Sequence, residues 1–367
     1  MFEMFWISVG TLCAITTVLA MVMVLVDAVV NRYGEVTLTI NGSRTLKVEG
    51  GQTLLNALKN EKVFIPSACG GRGSCGLCKV KLATKLGDPL PTELPWLTPD
   101  ERQAHVRLSC QLRVKQDLSI LVPEELLSVR QYGTVVTSIR DLTHDIKEVR
   151  LKLVDPPSID FKAGQYIQFE VPVYELTPEP VYRAYSIASA PRSKNEIDLE
   201  IRLVPNGICT TYVHRRLKPN DQVVINGPYG GFFLQDTDRE ILMVAGGSGM
   251  APIRSILHDM ADRGVARKTR YFFGAQTRQD LFLVDEMKEL EGRLPDFKFI
   301  PALSAPRPED GWSGETGLVT ETMNRHVDRV DTMEAYLCGS PLMIDACIRV
   351  LTAKGLPADR IFFDKFA

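Results

Sequence analysis

The chain has 367 residues, 45% of them hydrophobic and 24% charged; this globular composition excludes a disordered, collagenous or polytopic membrane protein and leaves room for two or three domains. Lys and Arg number 43 against 45 Asp and Glu, a formal net charge of -2, so no global field draws nucleic acid and no nucleic-acid partner is expected. Eight cysteines are too sparse for a disulfide scaffold, and four of them fall in a pattern suited to metal.

Met4 to Val26 carries no charge, and at about 1.5 Å per residue such a run covers the roughly 30 Å hydrocarbon core. A membrane-spanning helix is expected over 4–26. A cleaved signal peptide would read similarly, but no Lys or Arg precedes the run, and it outlasts the usual signal core. Only Glu3 stands before it, whereas Arg32, Arg44 and Lys47 follow. The positive-inside rule then puts the rest of the chain in the cytoplasm, as a single-pass protein of the cytoplasmic (inner) membrane.

EVTLTI and RTLKVE flank Asn41-Gly42 as a hairpin. Next comes IPSACGGRGSCGLCKVKL, which spaces Cys69, Cys75 and Cys78 as C-x5-C-x2-C, with Cys110 following 32 positions later. Two irons and two sulfides need four thiolates from a loop and one distant point, and a glycine-rich loop can turn backbone N–H groups toward the sulfurs. Zinc would more often take two separated CxxC knuckles. Gly71, Gly73 and Gly76 also spell GxGxxG, but interleaved cysteines argue against a phosphate cradle. The segment resembles plant-type 2Fe-2S ferredoxins, with one extra residue between the first two cysteines, and the resemblance implies a β-grasp domain over 34–128.

From Gln131 short strand-like runs alternate with turns, predicting an antiparallel β-barrel over 130–236. VYELTPEPV reads as a flexible insertion. In VYRAYSIAS, alternation puts Arg183 and Tyr185 on one side, a cation and an aromatic suited to a phosphate and a flat ring. An ordinary barrel strand would read the same way. RAYS, GICTTYVHRRL and GPYGGFF together resemble the flavin domain of the ferredoxin-NADP reductase superfamily. The resemblance implies that Arg183 contacts the FAD diphosphate, Tyr185 packs on the isoalloxazine and Ser186 hydrogen-bonds near its N5. It also implies that Gly207, Thr210 and Thr211 open a helix that holds the diphosphate.

EILMVA, then GGSGMAPIRSILHDM, is strand, glycine turn and helix, and further strands and helices alternate to the end. The pattern predicts an α/β parallel-sheet nucleotide-binding domain over 238–367, with its ligand at the carboxyl ends of the strands. Gly246, Gly247, Gly249, Met250, Ala251 and Pro252 are expected along the diphosphate of NADH. The superfamily resemblance adds Gly274, Ala275 and Arg278 beside the adenosine, and Cys338, Gly339 and Pro341 beside the nicotinamide. Cys338 reads equally as a buried strand-end residue. Phe366 is expected over the flavin by the same resemblance; a frayed tail or core plug is the alternative.

The full order is α+β multidomain: transmembrane helix, β-grasp ferredoxin domain, antiparallel β-barrel FAD domain and parallel-sheet nucleotide domain. With SACGGRGSCGLC, RAYS, GGSGMAP, YLCGSP and FFDKFA, it resembles the family of F subunits of the Na(+)-translocating NADH:quinone reductases. That implies hydride transfer from NADH to FAD at Ser186, Tyr185 and Cys338, and then single electrons through a cluster on Cys69, Cys75, Cys78 and Cys110 to other subunits of a membrane complex. PVYELTPEPVY is shorter than that family suggests, and CGSP replaces the usual CGPP, departures that would fit a shorter paralogue. The reductase of an oxygenase system shares the domain order but normally lacks the membrane helix. A cluster-bearing redox sensor is the non-enzymatic alternative, against which intact RAYS and GGSGMAP argue.

Overall fold

The computed structural model describes residues 2–30 and 33–366. Internal contacts divide the chain into two units, 1–65 with 71–128, and 66–70 with 129–367.

In the first unit, α1 (Phe2–Val30) contains Val9–Val26, with a mean hydropathy of 2.5 and none of that window buried. It is long and apolar enough to cross a membrane. The next strands are β1 (Glu35–Ile40) and β2 (Arg44–Glu49), paired across Asn41-Gly42 as the dipeptide predicts. Helix α2 (Leu54–Asn60) is capped by Thr53, whose hydroxyl accepts from the Asn56 amide. Then come β3 (Lys79–Leu82), α3 (Pro99–Gln103), β4 (Val106–Leu108), β5 (Leu118–Leu121) and α4 (Glu124–Leu127). The sheet order β2-β1-β5-β3-β4, with β1 and β5 parallel, wraps around α2. Val36, Leu38 and Ile40 alternate inward to meet Leu54, Ala57 and Leu58.

The second unit opens with a six-stranded sheet: β6 (Arg130–Asp141), β7 (Ile146–Asp155), β8 (Tyr166–Val171), β9 (Val181–Ser186), β10 (Glu196–Arg202) and β11 (Gln222–Tyr229). Its order is β10-β7-β6-β11-β8-β9, and the antiparallel bridge Ile187–Leu199 joins its two ends into a barrel. Helix α5 (Ile208–Arg215) lies between β10 and β11. The expected flexible insertion is instead pinned. Tyr174 donates to the Ile208 carbonyl and meets the Tyr212 ring edge-on at 5.5 Å, while Glu175 pairs with Arg216.

The unit continues as β12 (Glu240–Gly246), α6 (Met250–Arg263), β13 (Thr269–Ala275), α7 (Val284–Arg293), β14 (Phe297–Leu303), β15 (Glu315–Thr316), α8 (Val319–His326), β16 (Met333–Gly339), α9 (Pro341–Ala353) and β17 (Ile361–Lys365). The strands of this second sheet all pair in parallel, in the order β15-β14-β13-β12-β16-β17. Helices cover both faces, which is why β12 and β16 are almost continuously buried rather than alternating. Chain direction across the sheet reverses between β12 and β16, where a ligand crevice is expected.

Candidate active site

The cysteine loop is built from left-handed glycines: Gly70, Gly71, Gly73 and Gly76 have φ of 66°, 86°, 77° and 68°, a region costly for other residues. Space is also short, since a Cβ on Gly76 would lie 2.8 Å from the Trp96 ring. Cys78 ends this loop just before β3 and Cys110 follows β4; they are 1% and 5% exposed. The Ser109 amide donates to the Cys78 carbonyl at 2.8 Å, tying the two segments together. The thiols of Cys78 and Cys110 lie within hydrogen-bonding reach, and that contact, with burial, holds the Cys78 thiol far above its ordinary range. Cys69 and Cys75 are half-buried. Among the described residues no three of His, Cys, Asp and Glu gather around one point for a single ion. A binuclear cluster asks for two thiolates on each iron, which suits the close pair Cys78 and Cys110.

Behind this loop, Arg107 donates to Glu93 at 2.6 Å, and the Leu90 and Leu108 amides donate to the same carboxylate. Despite burial, the Arg107 hydrogen bond and these amides hold the Glu93 carboxyl below the usual range. The pair fixes the segment that carries Trp96.

In the barrel, Arg183 and Tyr185 share a face of β9, as alternation predicts, and register places them opposite Phe169 and Ile167. The Tyr185 ring meets Phe169 edge-on at 6.2 Å, and its hydroxyl reaches the buried Cys209 thiol. Arg183 donates to the Tyr182 carbonyl at 2.7 Å. Gly207 caps α5 and, having no side chain, makes no capping bond of its own, so the helix start keeps amides that an anion can take. A Cβ at Gly207 would lie 2.5 Å from the Thr210 hydroxyl. That hydroxyl is itself engaged by the Val204 amide at 3.1 Å, so Thr210 shapes the turn through its side chain.

At the end of β12, Gly246 leads into the turn 247–249 that opens α6. A Cβ on Gly249 would meet the Cys338 carbonyl at 2.4 Å, so only glycine lets this turn seat against β16. Gly246 and Gly339 are similarly crowded by the Met343 thioether at 3.3 and 3.0 Å, and Gly274 by Val319 at 2.9 Å. The side chains of Met250, Ala251 and Pro252 are buried, and the Met250 sulfur accepts from the Tyr271 hydroxyl. What this turn offers a ligand is therefore backbone. Arg278 is exposed and donates to the Asp310 carbonyl at 2.6 Å, beside Ala275.

The last strand completes the site. Parallel register puts Cys338 between Ala245 of β12 and Asp364 of β17, and the Ser186 hydroxyl reaches Asp364 Oδ2 at 3.5 Å. Cys338 is fully buried, and burial, with Asp364 and Glu200 nearby, keeps its thiol protonated, far above the ordinary range. Burial also raises the Asp364 carboxyl to about 6, against the opposing pull of Ser186. Phe366 is held rather than frayed: its amide donates to the Gly339 carbonyl at 2.9 Å, and its ring packs on the nucleotide-domain core. Sequence reasoning misses Asp364, although an acid among the aromatics of FFDKFA is the signal that marks it.

The chain matches three families: a 2Fe-2S iron-sulfur cluster binding domain over 38–115, an oxidoreductase FAD-binding domain over 134–234 and an oxidoreductase NAD-binding domain over 243–349. It is 36% identical to the F subunit of the Na(+)-translocating NADH-quinone reductase of Neisseria meningitidis, covering 96% of each chain. It is 37% identical to the protein of the same name in Methylococcus capsulatus, over 91% of this chain and 92% of that one. Among solved structures it resembles the cytochrome P450 reductase GcoB of Amycolatopsis, with TM-score 0.73 and 26% identity over 90% of this chain and 98% of that one. A ferredoxin reductase in carbazole 1,9a-dioxygenase gives TM-score 0.69 and 25% identity, over 91% and 98%.

Proposed function

The chain belongs to the family of F subunits of the Na(+)-translocating NADH-quinone reductases, and on that premise we propose that it is the electron-input component of a membrane respiratory complex, oxidising NADH on behalf of quinone. It is a flavin- and iron-sulfur-dependent oxidoreductase. A bound FAD would supply the exchange between the two-electron chemistry of NADH and single electrons, and a bound 2Fe-2S cluster would supply one-electron transfer.

The residues of the chain bind, orient and exclude water. Cys69, Cys75, Cys78 and Cys110 supply four thiolates for the cluster. The open first turn of α5 after Gly207, with Thr211, and the guanidinium of Arg183 hold the FAD diphosphate, and Tyr185 lines the flat ring. The backbone of Gly246, Gly247 and Gly249 and the start of α6 receive the NADH diphosphate, with Gly274 and Arg278 toward the adenosine. Cys338 and Gly339 form the floor under the nicotinamide, and Phe366 shields the site from water. Ser186 donates a hydrogen bond at the reacting face, and Asp364 orients that hydroxyl and can hold a proton there.

The observation that carries this reading is the convergence of Ser186, Cys338 and Asp364 where β9 of the barrel meets β16 and β17 of the nucleotide sheet. The apolar run in α1 supports a single-pass anchor with the residues that follow it on the cytoplasmic side, where the basic residues lie. Addition of NADH to the full chain in detergent, without oxygen, should bleach the flavin band; a flavin that stays oxidised overturns the proposal.

A further inference from the structure

A buried charge network lies behind this site. Arg254 stands in α6, the helix opened by the glycine turn, with its side chain 10% exposed. Its Nε donates to Glu286 on α7 at 2.6 Å. Its Nη1 donates to Glu148 on β7 at 2.9 Å and to Glu200 on β10 at 3.5 Å, with Asp198 at 4.0 Å. One guanidinium on a helix of the nucleotide domain thus grips acids of two barrel strands.

The other groups around Glu200 are accounted for. Arg150 pairs with Asp198 at 2.7 Å, Arg140 with Glu148 at 3.1 Å, and Arg202 with Asp145 at 2.6 Å. The His258 ring meets Glu286 at 2.7 Å. The neutral Tyr271 of β13 and Cys338 of β16 complete the surroundings, with Asp364 beyond Cys338. Glu200 itself is 3% exposed, and among the described residues its Oε2 has no hydrogen-bond partner. An enclosed ionised oxygen with no donor is far more costly than a neutral, protonated carboxyl in the same place. Burial raises this carboxyl to about 8, with Arg254 opposing and Glu148, Glu286 and Asp198 adding to the rise. With Glu200 neutral, Arg254, Arg150 and Arg140 balance Glu148, Asp198 and Glu286. Its ionisation would strengthen the pull on Arg254 yet leave a fourth buried acid against three guanidiniums, repelled by Glu148, Glu286 and Asp198, a cost that the packed contact escapes only by opening to water.

We propose that Arg254 is a positioning residue for hydride transfer, clamping the helix of the glycine turn to the flavin barrel, and that the clamp holds only while Glu200 keeps its proton. The inference rests on the NADH-to-flavin reading above. Releasing the clamp shifts the nicotinamide relative to the flavin, and a displacement of about 1 Å is enough to cost roughly a hundredfold in rate.

The test uses the full chain in detergent, loaded with FAD and cluster, with flavin bleaching at saturating NADH followed from about pH 6 to about pH 10. The wild type should hold a constant rate at neutral pH and then fall toward about tenfold per pH unit in alkali, the slope of one ionisation. Glu200→Gln, isosteric and permanently neutral, should remove that fall. Arg254→Met should slow bleaching at every pH, and Arg254→Lys should recover part of the loss. Independently of turnover, infrared spectra of the wild type at neutral pH should show a buried protonated carboxyl band that disappears over the same pH range and is absent from Glu200→Gln. A wild type flat through alkali, an alkaline fall unchanged in Glu200→Gln, or the missing band would overturn the clamp while leaving flavin reduction standing. A flavin that NADH reduces at no pH would overturn the parent reading and the clamp together.

Discussion

The Ser186 hydroxyl, at the end of β9, lies 3.5 Å from Asp364 Oδ2 on β17, the last strand of the chain. Residues 178 positions apart meet because the barrel strand ends where the nucleotide sheet presents its carboxyl edge. Ser186→Ala removes the donor at the reacting face and leaves the cluster loop untouched. Flavin reduction by NADH is expected to slow by roughly a hundredfold, with an unchanged cluster spectrum; equal loss of both signals would contradict the assignment.

Asp364 gives a pH prediction with a definite sign. Its folded pKa, about 6, lies above the ordinary value near 3.9, so the fold prefers the protonated form. Its contribution is fully present below about pH 4 and is lost as pH rises through about 6. Asp364→Asn should abolish that loss, on the order of 3 kcal/mol. Melting temperatures of both forms across this range provide the check, and parallel curves would show that Asp364 is not the titrating group.

Cys75→Ala should abolish the cluster's visible and electron paramagnetic resonance signals while NADH still bleaches the flavin. Simultaneous loss of flavin reduction would mean that Cys75 serves something other than the cluster.

Gly249→Ala places a methyl group 2.4 Å from the Cys338 carbonyl, against backbone that has nowhere to go. The glycine turn must lift away from β16, so the concentration of NADH needed for half-maximal flavin bleaching should rise at least about tenfold. The bound FAD content should not change. Wild-type NADH dependence would show that the turn has room to spare.

Arg107→Met leaves Glu93 as a buried, unpaired carboxylate. Breaking such a pair costs about 3–5 kcal/mol. The ferredoxin unit should melt earlier and lose its cluster, while the flavin-fluorescence melt of the other unit stays in place.

Local patterns disclose much of this site before any coordinates. Cys69 to Cys78 lie within one loop, RAYS follows strand alternation, and GGSGMAP sits between a strand and a helix. Each is chemistry packed into a few consecutive residues. Asp364 and Glu200 escape such reading because their meaning is made by neighbours distant in sequence. Asp364 matters through its register beside Cys338 and its reach to Ser186, and Glu200 through Arg254. Thr210 and Met250 show the converse. Packing gives the Thr210 side chain to a turn and buries that of Met250 in the core, so what these motif positions could offer a ligand is their backbone. VYELTPEPV reads as mobile from its two prolines, yet Tyr174 and Glu175 tie it to α5 and Arg216.

The central claim is a path from NADH through FAD to the cluster, and an anaerobic NADH titration of the full chain tests it most directly. The flavin band and the low-temperature paramagnetic resonance of the cluster are recorded in the same sample. The account predicts flavin bleaching accompanied by a rhombic signal from a reduced 2Fe-2S cluster, with both missing when NADH is withheld. Bleached flavin beside a cluster that never becomes paramagnetic, or a flavin indifferent to NADH, would contradict it.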